Sequence, residues 1–508
     1  MQREDDILTI DALMQQCGVQ FGTSGARGLA QAMTDRICFA YTSGFLGYLE
    51  SENEFKPGGE VAIAGDFRAS TPRIMAAAAS AVRDRGGVPV NLGFLPTPAL
   101  ALYALQRKIP GLMVTGSHIP DDRNGIKFYK ADGEILKPDE SAIRRQRVSV
   151  PEGVFDATGM CRVPAELPAE SAAAYQEYLR RYLDFFPNHS LRGQRIGLYQ
   201  HSSVARGLLC EVLEGLGAEV IRLGYSDNFI PVDTEAIRAE DVALARQWSR
   251  EYALDALVST DGDGDRPLIG DEKGEWLRGD VAGVLCARYL GIRCLVTPVS
   301  SNSLVEKCKW FEQIERTRIG SPYVIEAMHE AVAAGGRAVA GYEANGGFLL
   351  ADEVSNGSAR LSPLPTRDAV VVILSVLLLA RQLQCPLSGL LQLLPRRYTF
   401  SDRLKQFPTE LSQARIDSMK RGAPAEQAAA VEAVFADDFG AVNKIDVTDG
   451  LRVSFLSGEV VHLRPSGNAP ELRCYTEADS PERAAEINRR CLEIMQGWRR
   501  QAVVKDQA

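Results

Sequence analysis

The sequence predicts an α/β protein: three tandem related α/β domains with mixed sheets, then a C-terminal α+β domain, set around a central cleft. Three observations predict it. A chain of 508 residues is too long for one ordinary domain and suits three or four. Three stretches repeat one outline: a short apolar strand, a helix, a Gly-bearing or polar turn and a second strand. The C-terminal part instead alternates short strands with tight turns.

The first copy of the outline is residues 60–65, an Ala-rich helical run, and residues 86–93. The second is 194–199, a helix over 204–215, and 217–224. The third is 293–297, a helix from Ser303, and 314–320. Strand, helix and parallel strand make the βαβ unit of a parallel sheet. In the last part, strands over 443–447, 451–456 and 459–463 are joined by Asp449-Gly450 and Ser457-Gly458, and a helix follows over 481–498. These elements divide the chain into domains 1–165, 166–276, 277–395 and 396–508.

Bulk properties narrow the function. Hydrophobic residues make up 45% and charged residues 24%, as in a soluble globular protein. A net charge of −9 argues against nucleic acid as the main partner, while leaving room for a small phosphate ligand held by a few arginines. The N-terminus lacks the basic and apolar regions of a secretory signal. The most apolar run, 369–380, is too short to span a bilayer and reads as a buried helix. The 10 cysteines form no CxxC pair and no zinc spacing, as expected of reduced thiols. The expectation is a cytoplasmic protein without a membrane partner, monomeric or homodimeric.

Four loops carry candidate chemistry, one in each domain. Thr115-Gly-Ser-His-Ile-Pro120, with Asn124-Gly-Ile-Lys127 after it, follows the apolar run 111–114. It therefore lies at a strand end, where open α/β sheets bind ligands. Ser117 in this glycine turn is a nucleophile or phosphoryl carrier, or the loop is a plain turn; the spacing is not that of a hydrolase elbow. Asp261-Gly-Asp-Gly-Asp-Arg266 places carboxylates at alternate positions, which repel unless a cation lies among them. Hard oxygen ligands select Mg²⁺ or Ca²⁺. An EF-hand would need glycine where Arg266 stands and a helix where 256–259 reads as strand, so Mg²⁺ is expected. Arg266 beside it suits an anionic ligand. In Gly341-Tyr-Glu-Ala-Asn-Gly-Gly347, Glu343 and Asn345 suit sugar hydroxyls, although a Gly-rich turn looks the same. Arg464-Pro-Ser-Gly-Asn-Ala-Pro-Glu-Leu-Arg473 joins an anion nest to two arginines, Arg464 and Arg473, which can grip a phosphate or simply be exposed.

Taken together, these loops resemble the α-D-phosphohexomutases, the family of phosphoglucomutase and phosphomannomutase. The resemblance runs from Phe21-Gly-Thr-Ser-Gly-Ala-Arg-Gly28 to Arg473, with the loops in family order. It implies that Ser117 carries the phosphoryl group. It implies that Asp261, Asp263 and Asp265 hold Mg²⁺, with the phosphate on Ser117 as a further ligand. Glu343 and Asn345 would read the sugar, and Arg464, Ser466, Gly467 and Asn468 the phosphate that is not transferred. Arg27 matches an arginine near the phosphoserine; His118 and Lys127 match groups that assist proton transfer. Two positions depart from the pattern: Ile119 replaces an asparagine, and Asn345 a serine.

The activity implied is interconversion of hexose 1-phosphate and hexose 6-phosphate, of mannose or glucose, through a phosphoserine enzyme and a sugar 1,6-bisphosphate. A sugar 1,6-bisphosphate synthase and a non-catalytic phosphosugar-binding protein are the alternatives.

Overall fold

The computed structural model describes residues 7–22, 25–163, 165–466 and 470–506. Residues 1–296 with 320–391 form one compact unit, and 297–319 with 392–508 a second.

The first unit holds three sheets that repeat one plan. In the first sheet, Glu60–Gly65 runs parallel to both Val88–Phe94 and Gly111–Val114. Val61, Ala62, Ile63 and Ala64 are all buried, so the strand reads as a continuous apolar run, as expected with both faces covered. Helix Thr71–Asp84 buries Ile74, Ala78 and Val82 on one stripe and begins with a proline in its first turn. Gly111–Val114 then pairs antiparallel with Arg123–Lys130, which pairs antiparallel with Gly25–Leu29.

In the second sheet, Arg195–His201 runs parallel to Glu219–Tyr225 and to Ala256–Thr260, and Ala256–Thr260 turns back antiparallel into Pro267–Gly270. In the third, Val339 lies opposite Cys294 in a parallel pair, and Val339–Tyr342 turns back into Phe348–Leu350. Each sheet therefore ends a parallel strand in an antiparallel hairpin. The hairpin turns are the Ser117 loop, the Asp261–Arg266 loop and the Glu343–Gly347 loop. The repeat seen in the sequence puts these loops at equivalent places of three sheets.

Helix Ala369–Gln382 follows the third sheet, buried from Ala369 to Ala380 and capped by Asp368, whose side chain accepts from Val370 N and Val371 N. Among the described residues no single helix is long and apolar enough to cross a membrane.

The second unit contains a five-stranded antiparallel sheet in the order Tyr398–Lys405, Glu471–Ala478, Val460–Pro465, Leu451–Phe455, Val442–Asp446. Val453, Phe455, Val461 and Leu463 on its inner face share one core with Leu472 and Cys474, and with Ile487, Cys491 and Met495 of helix Pro481–Asp506. The three strands and the closing helix expected here are present. Strand Tyr398–Lys405 and helices Thr409–Lys420 and Pro424–Phe439 are additional to that expectation. The helix expected from Ser303 is only the single turn Leu304–Lys307.

Candidate active site

Ser117 is buried and adopts φ 54, a left-handed conformation rare for a residue with a Cβ. Such strain persists where the surroundings over-determine it. Here they do so from both ends. Thr115 Oγ1 accepts from Ser117 N (2.7 Å), and Asp66 Oδ2 accepts from Thr115 Oγ1 (2.7 Å) and Gly116 N (3.3 Å). The buried guanidinium of Arg68 donates to four carbonyls of the loop: Ser117 (2.9 Å), Ile119 (2.6 Å), Pro120 (2.6 Å) and Arg123 (3.0 Å). It is paired with Asp66 Oδ2 at 3.1 Å and covered by the Phe229 ring at 4.0 Å. Residue 116 must be glycine, because a Cβ there would lie 2.6 Å from Arg68 Nε. Ile119 enters this network through its carbonyl.

The acidic loop is a tight turn between two strands, with Gly264 at φ 72. Asp261, Asp263 and Asp265 are fully buried, and one oxygen from each lies within 4.8 Å of the others. Their oxygens divide by task. Asp261 Oδ1 accepts from Asp265 N and Arg266 N, and Asp261 Oδ2 accepts from Ser117 Oγ at 2.7 Å. Asp263 Oδ2 takes Lys127 Nζ (2.7 Å) and Thr97 Oγ1 (2.8 Å); Asp265 Oδ2 takes Lys127 Nζ (2.7 Å) and Arg367 Nε (3.1 Å). Asp263 Oδ1 and Asp265 Oδ1 are buried without a hydrogen-bond partner among the described residues. Buried carboxylate oxygens left unpaired beside a third carboxylate fit a hard divalent cation. Glu272, the twelfth residue of an EF-hand count, instead accepts from Ser388 Oγ at 2.5 Å, and strands rather than helices flank the loop.

Charge follows the same division. Burial and repulsion from Asp263 and Asp265 push the Asp261 carboxyl well above the usual range. Burial also opposes ionisation of Asp265, but Arg367 and Lys127 outweigh it and hold that carboxyl low. Lys127 is held above its ordinary value because Asp263 and Asp265 overcome burial. Its ammonium is therefore a fixed positive charge between two aspartates. His118 Nδ1 lies 3.3 Å from Ser117 Oγ, and burial followed by repulsion from Arg266 and Arg27 keeps its imidazole neutral, well below 6.5. Arg27, opposite Gly125 in the sheet, is lowered to about 10 by burial and then by Arg266, with Arg367 and Arg68 adding to it. A guanidinium so crowded by others marks a locally positive site that suits a phosphoryl dianion. Arg266 contributes, with Nε 3.6 Å from Asp265 Oδ1 and 3.8 Å from Asp261 Oδ2.

In the third loop, Gly347 N donates to Asn345 Oδ1 and closes the turn, while Thr234 Oγ1, distant in sequence, donates to Asn345 O and fastens it from outside. Glu343 Oε2 accepts from Arg367 Nη1 at 2.9 Å. Arg367 thus touches both the acidic loop and the Glu343 loop.

In the second unit, Arg464 and Arg473 are partners across the antiparallel pair, on the strands that flank the fourth loop. Asp449 Oδ1 accepts from Arg464 Nε at 2.9 Å, and Ser466 N donates to Glu471 O. Gly467 and Asn468 lie outside the described residues.

Sequence reasoning missed Asp66, Arg68, Thr97 and Arg367. Asp66 and Arg68 carried a positional signal, since they directly follow Gly65 at the end of a parallel strand, the place where the other loops begin.

Family models match the chain in four consecutive parts: phosphoglucomutase/phosphomannomutase α/β/α domain I over 18–149, domain II over 173–274, domain III over 278–398 and the C-terminal domain over 418–494. A phosphomannomutase of Sinorhizobium fredii is 45% identical over 471 residues, covering 92% of this chain and 97% of its own. A phosphomannomutase of Salmonella muenchen is 42% identical, covering 94% and 95%. Among solved structures, a phosphoglucomutase/phosphomannomutase family protein of Burkholderia thailandensis superposes with TM-score 0.71 at 18% identity, covering 94% and 97%. Parafusin, a phosphoglucomutase of Paramecium, superposes with TM-score 0.66 at 16% identity, covering 94% of each chain. Its domain order and its likeness to full-length relatives place this chain in the phosphoglucomutase/phosphomannomutase family of phosphohexomutases.

Proposed function

We propose that the protein is a phosphomannomutase that interconverts mannose 1-phosphate and mannose 6-phosphate, with glucose phosphates as second substrates, through phosphorylated Ser117 and a hexose 1,6-bisphosphate. The observation that carries this is Ser117 Oγ, held in a left-handed turn 2.7 Å from Asp261 Oδ2, beside two aspartate oxygens that have no hydrogen-bond partner among the described residues. The preference for mannose follows the names of the relatives of 45% and 42% identity.

Asp261, Asp263 and Asp265 would hold the metal, which we assign as Mg²⁺ from the all-oxygen donor set. When bound, it supplies Lewis-acid neutralisation of the phosphoryl charge. The residues do the rest by positioning and charge, as phosphoryl transfer requires. The bond from phosphorus to Ser117 Oγ breaks while a sugar hydroxyl oxygen bonds to phosphorus. His118, neutral and next to Oγ, accepts the hydroxyl proton and returns it to the serine oxygen. Lys127 Nζ donates to Asp263 Oδ2 and Asp265 Oδ2, and we assign it to orienting those carboxylates. Arg27 and Arg266 balance charge at the equatorial phosphoryl oxygens. Glu343 and Asn345 read sugar hydroxyls. Arg464, Ser466, Gly467, Asn468 and Arg473 grip the phosphate that is not transferred. The bisphosphate turns end for end and returns its other phosphoryl group to Ser117.

The test is mutase activity with mannose 1-phosphate and glucose 1-phosphate in parallel, with Mg²⁺ and a trace of the matching 1,6-bisphosphate. Turnover of mannose 1-phosphate, abolished in Ser117→Ala with binding retained, is expected. Full activity in Ser117→Ala refutes the phosphoserine route, and turnover of glucose 1-phosphate alone refutes the substrate assignment.

A further inference from the structure

Thr366, Arg367 and Asp368 are consecutive and buried, and each is fastened to a different part of the first unit. Thr366 Oγ1 donates to Glu134 Oε1 at 2.6 Å; Glu134 Oε2 accepts from Ser321 Oγ at 3.0 Å. Asp368 accepts from Tyr178 Oη (2.8 Å) and Tyr182 Oη (2.5 Å) while capping the buried helix. With both neighbours pinned, the backbone of Arg367 has little freedom. Its stem lies against Gly347, where an added Cβ would meet Arg367 Cδ at 2.5 Å. Its head is shared: Nε donates to Asp265 Oδ2 and Nη1 to Glu343 Oε2.

We propose that Arg367 is a positioning residue that couples the acidic loop to the sugar loop, so that cation binding at one strengthens sugar binding at the other. This rests on the sugar contact assigned to Glu343 above. One guanidinium between two carboxylates divides its attraction between them. A divalent cation drawing charge from Asp265 weakens Arg367 on that side and leaves it held more firmly by Glu343. That fixes the Glu343 carboxylate in one place, with its second oxygen available to a hydroxyl. By linkage the sugar must strengthen cation binding by the same factor.

The test is calorimetric binding in the Ser117→Ala background, so that nothing turns over. The dissociation constant of mannose 1-phosphate is measured with and without Mg²⁺, and that of Mg²⁺ with and without the sugar phosphate. In the Ser117→Ala parent the coupling factor is expected to be about tenfold, within the usual range for linked sites. Arg367→Gln and Arg367→Lys should each bring it to about twofold or less; the lysine keeps the buried charge but cannot span both carboxylates, and its melting temperature shows whether the fold is retained. A factor near one in the parent, or an unchanged factor in Arg367→Lys, overturns the coupling. Glu343→Gln separates this from the assignment beneath it. If it weakens sugar binding while Arg367→Lys leaves the factor intact, only the coupling fails. If it leaves sugar affinity unchanged, the sugar contact and the coupling fall together.

Discussion

Arg68→Met removes the fastening of the Ser117 loop while keeping the bulk of the side-chain stem. The arginine has no exposed side-chain surface and donates to Asp66 and to four loop carbonyls. Without it, Asp66 is a buried carboxylate that has lost its cation, a loss of about 3–5 kcal/mol. For a domain of about 150 residues this corresponds to a fall of roughly 10 °C in Tm. The catalytic effect is separate. Ser117 holds φ 54 only because its loop is tied down on both sides, and releasing the carbonyls lets it relax toward ordinary backbone angles. A displacement of about 1 Å at a reacting atom costs on the order of 100-fold in rate. Calorimetry and initial rates measure the two effects. Intact-mass detection of phosphoserine after incubation with the 1,6-bisphosphate shows whether loading of Ser117 is what fails. Arg68→Lys separates charge from geometry: the ammonium can offset Asp66 but cannot reach four carbonyls, so stability should recover more than kcat. A kcat within about twofold of wild type in Arg68→Met would refute the claim that the loop needs this clamp.

Asp263→Asn should shift Mg²⁺ activation to higher concentration by more than the roughly 10–100-fold typical of losing an outer-shell partner; an unchanged titration would remove Asp263 from the ligand set. Arg464→Ala should raise KM for the sugar phosphate about 10–100-fold, as for a lost charge-assisted hydrogen bond, with kcat less affected; an unchanged KM would place the distal phosphate elsewhere. His201 predicts an acid-sensitive fold. Its Nε2 donates to Thr260 O at 2.8 Å and its Nδ1 is buried without a partner among the described residues, so burial lowers it to about 4. The folded chain resists a proton that the unfolded chain takes up near pH 6.5. Its contribution is therefore complete above pH 6.5 and is lost as pH falls toward 4, by about 3 kcal/mol in total. His201→Gln keeps a donor for Thr260 and should flatten denaturation midpoints across that window; an unchanged slope would show that His201 is not the group responsible.

The difference between what was legible in the sequence and what was not follows from how each kind of residue is held. Ser117, Asp261, Asp263 and Asp265 lie on hairpin turns whose glycines and spacing stand out in the sequence, although the Ser117 turn is then held in shape by the distant Asp66 and Arg68. The buried helix after Asp368 was legible for a similar reason, since twelve consecutive apolar or small residues cannot face water. Arg68 and Arg367 work differently. Each is a charge drawn inside by partners that lie far along the chain: Arg68 reaches Pro120, and Arg367 reaches Asp265 and Glu343. Beyond the strand-end position of Arg68, nothing local separates these arginines from ones on the surface, because burial of a charge depends on partners that only the fold brings together. The same holds for Lys127. Its Nζ lies 2.7 Å from Asp263 Oδ2 and from Asp265 Oδ2, a pairing that no neighbouring residue announces. The repeated hairpin explains how both kinds of information meet in one site. Each of the three sheets offers a turn at the same topological place, so local sequence marks the turns while Arg68 and Arg367, reaching across the chain, fasten them.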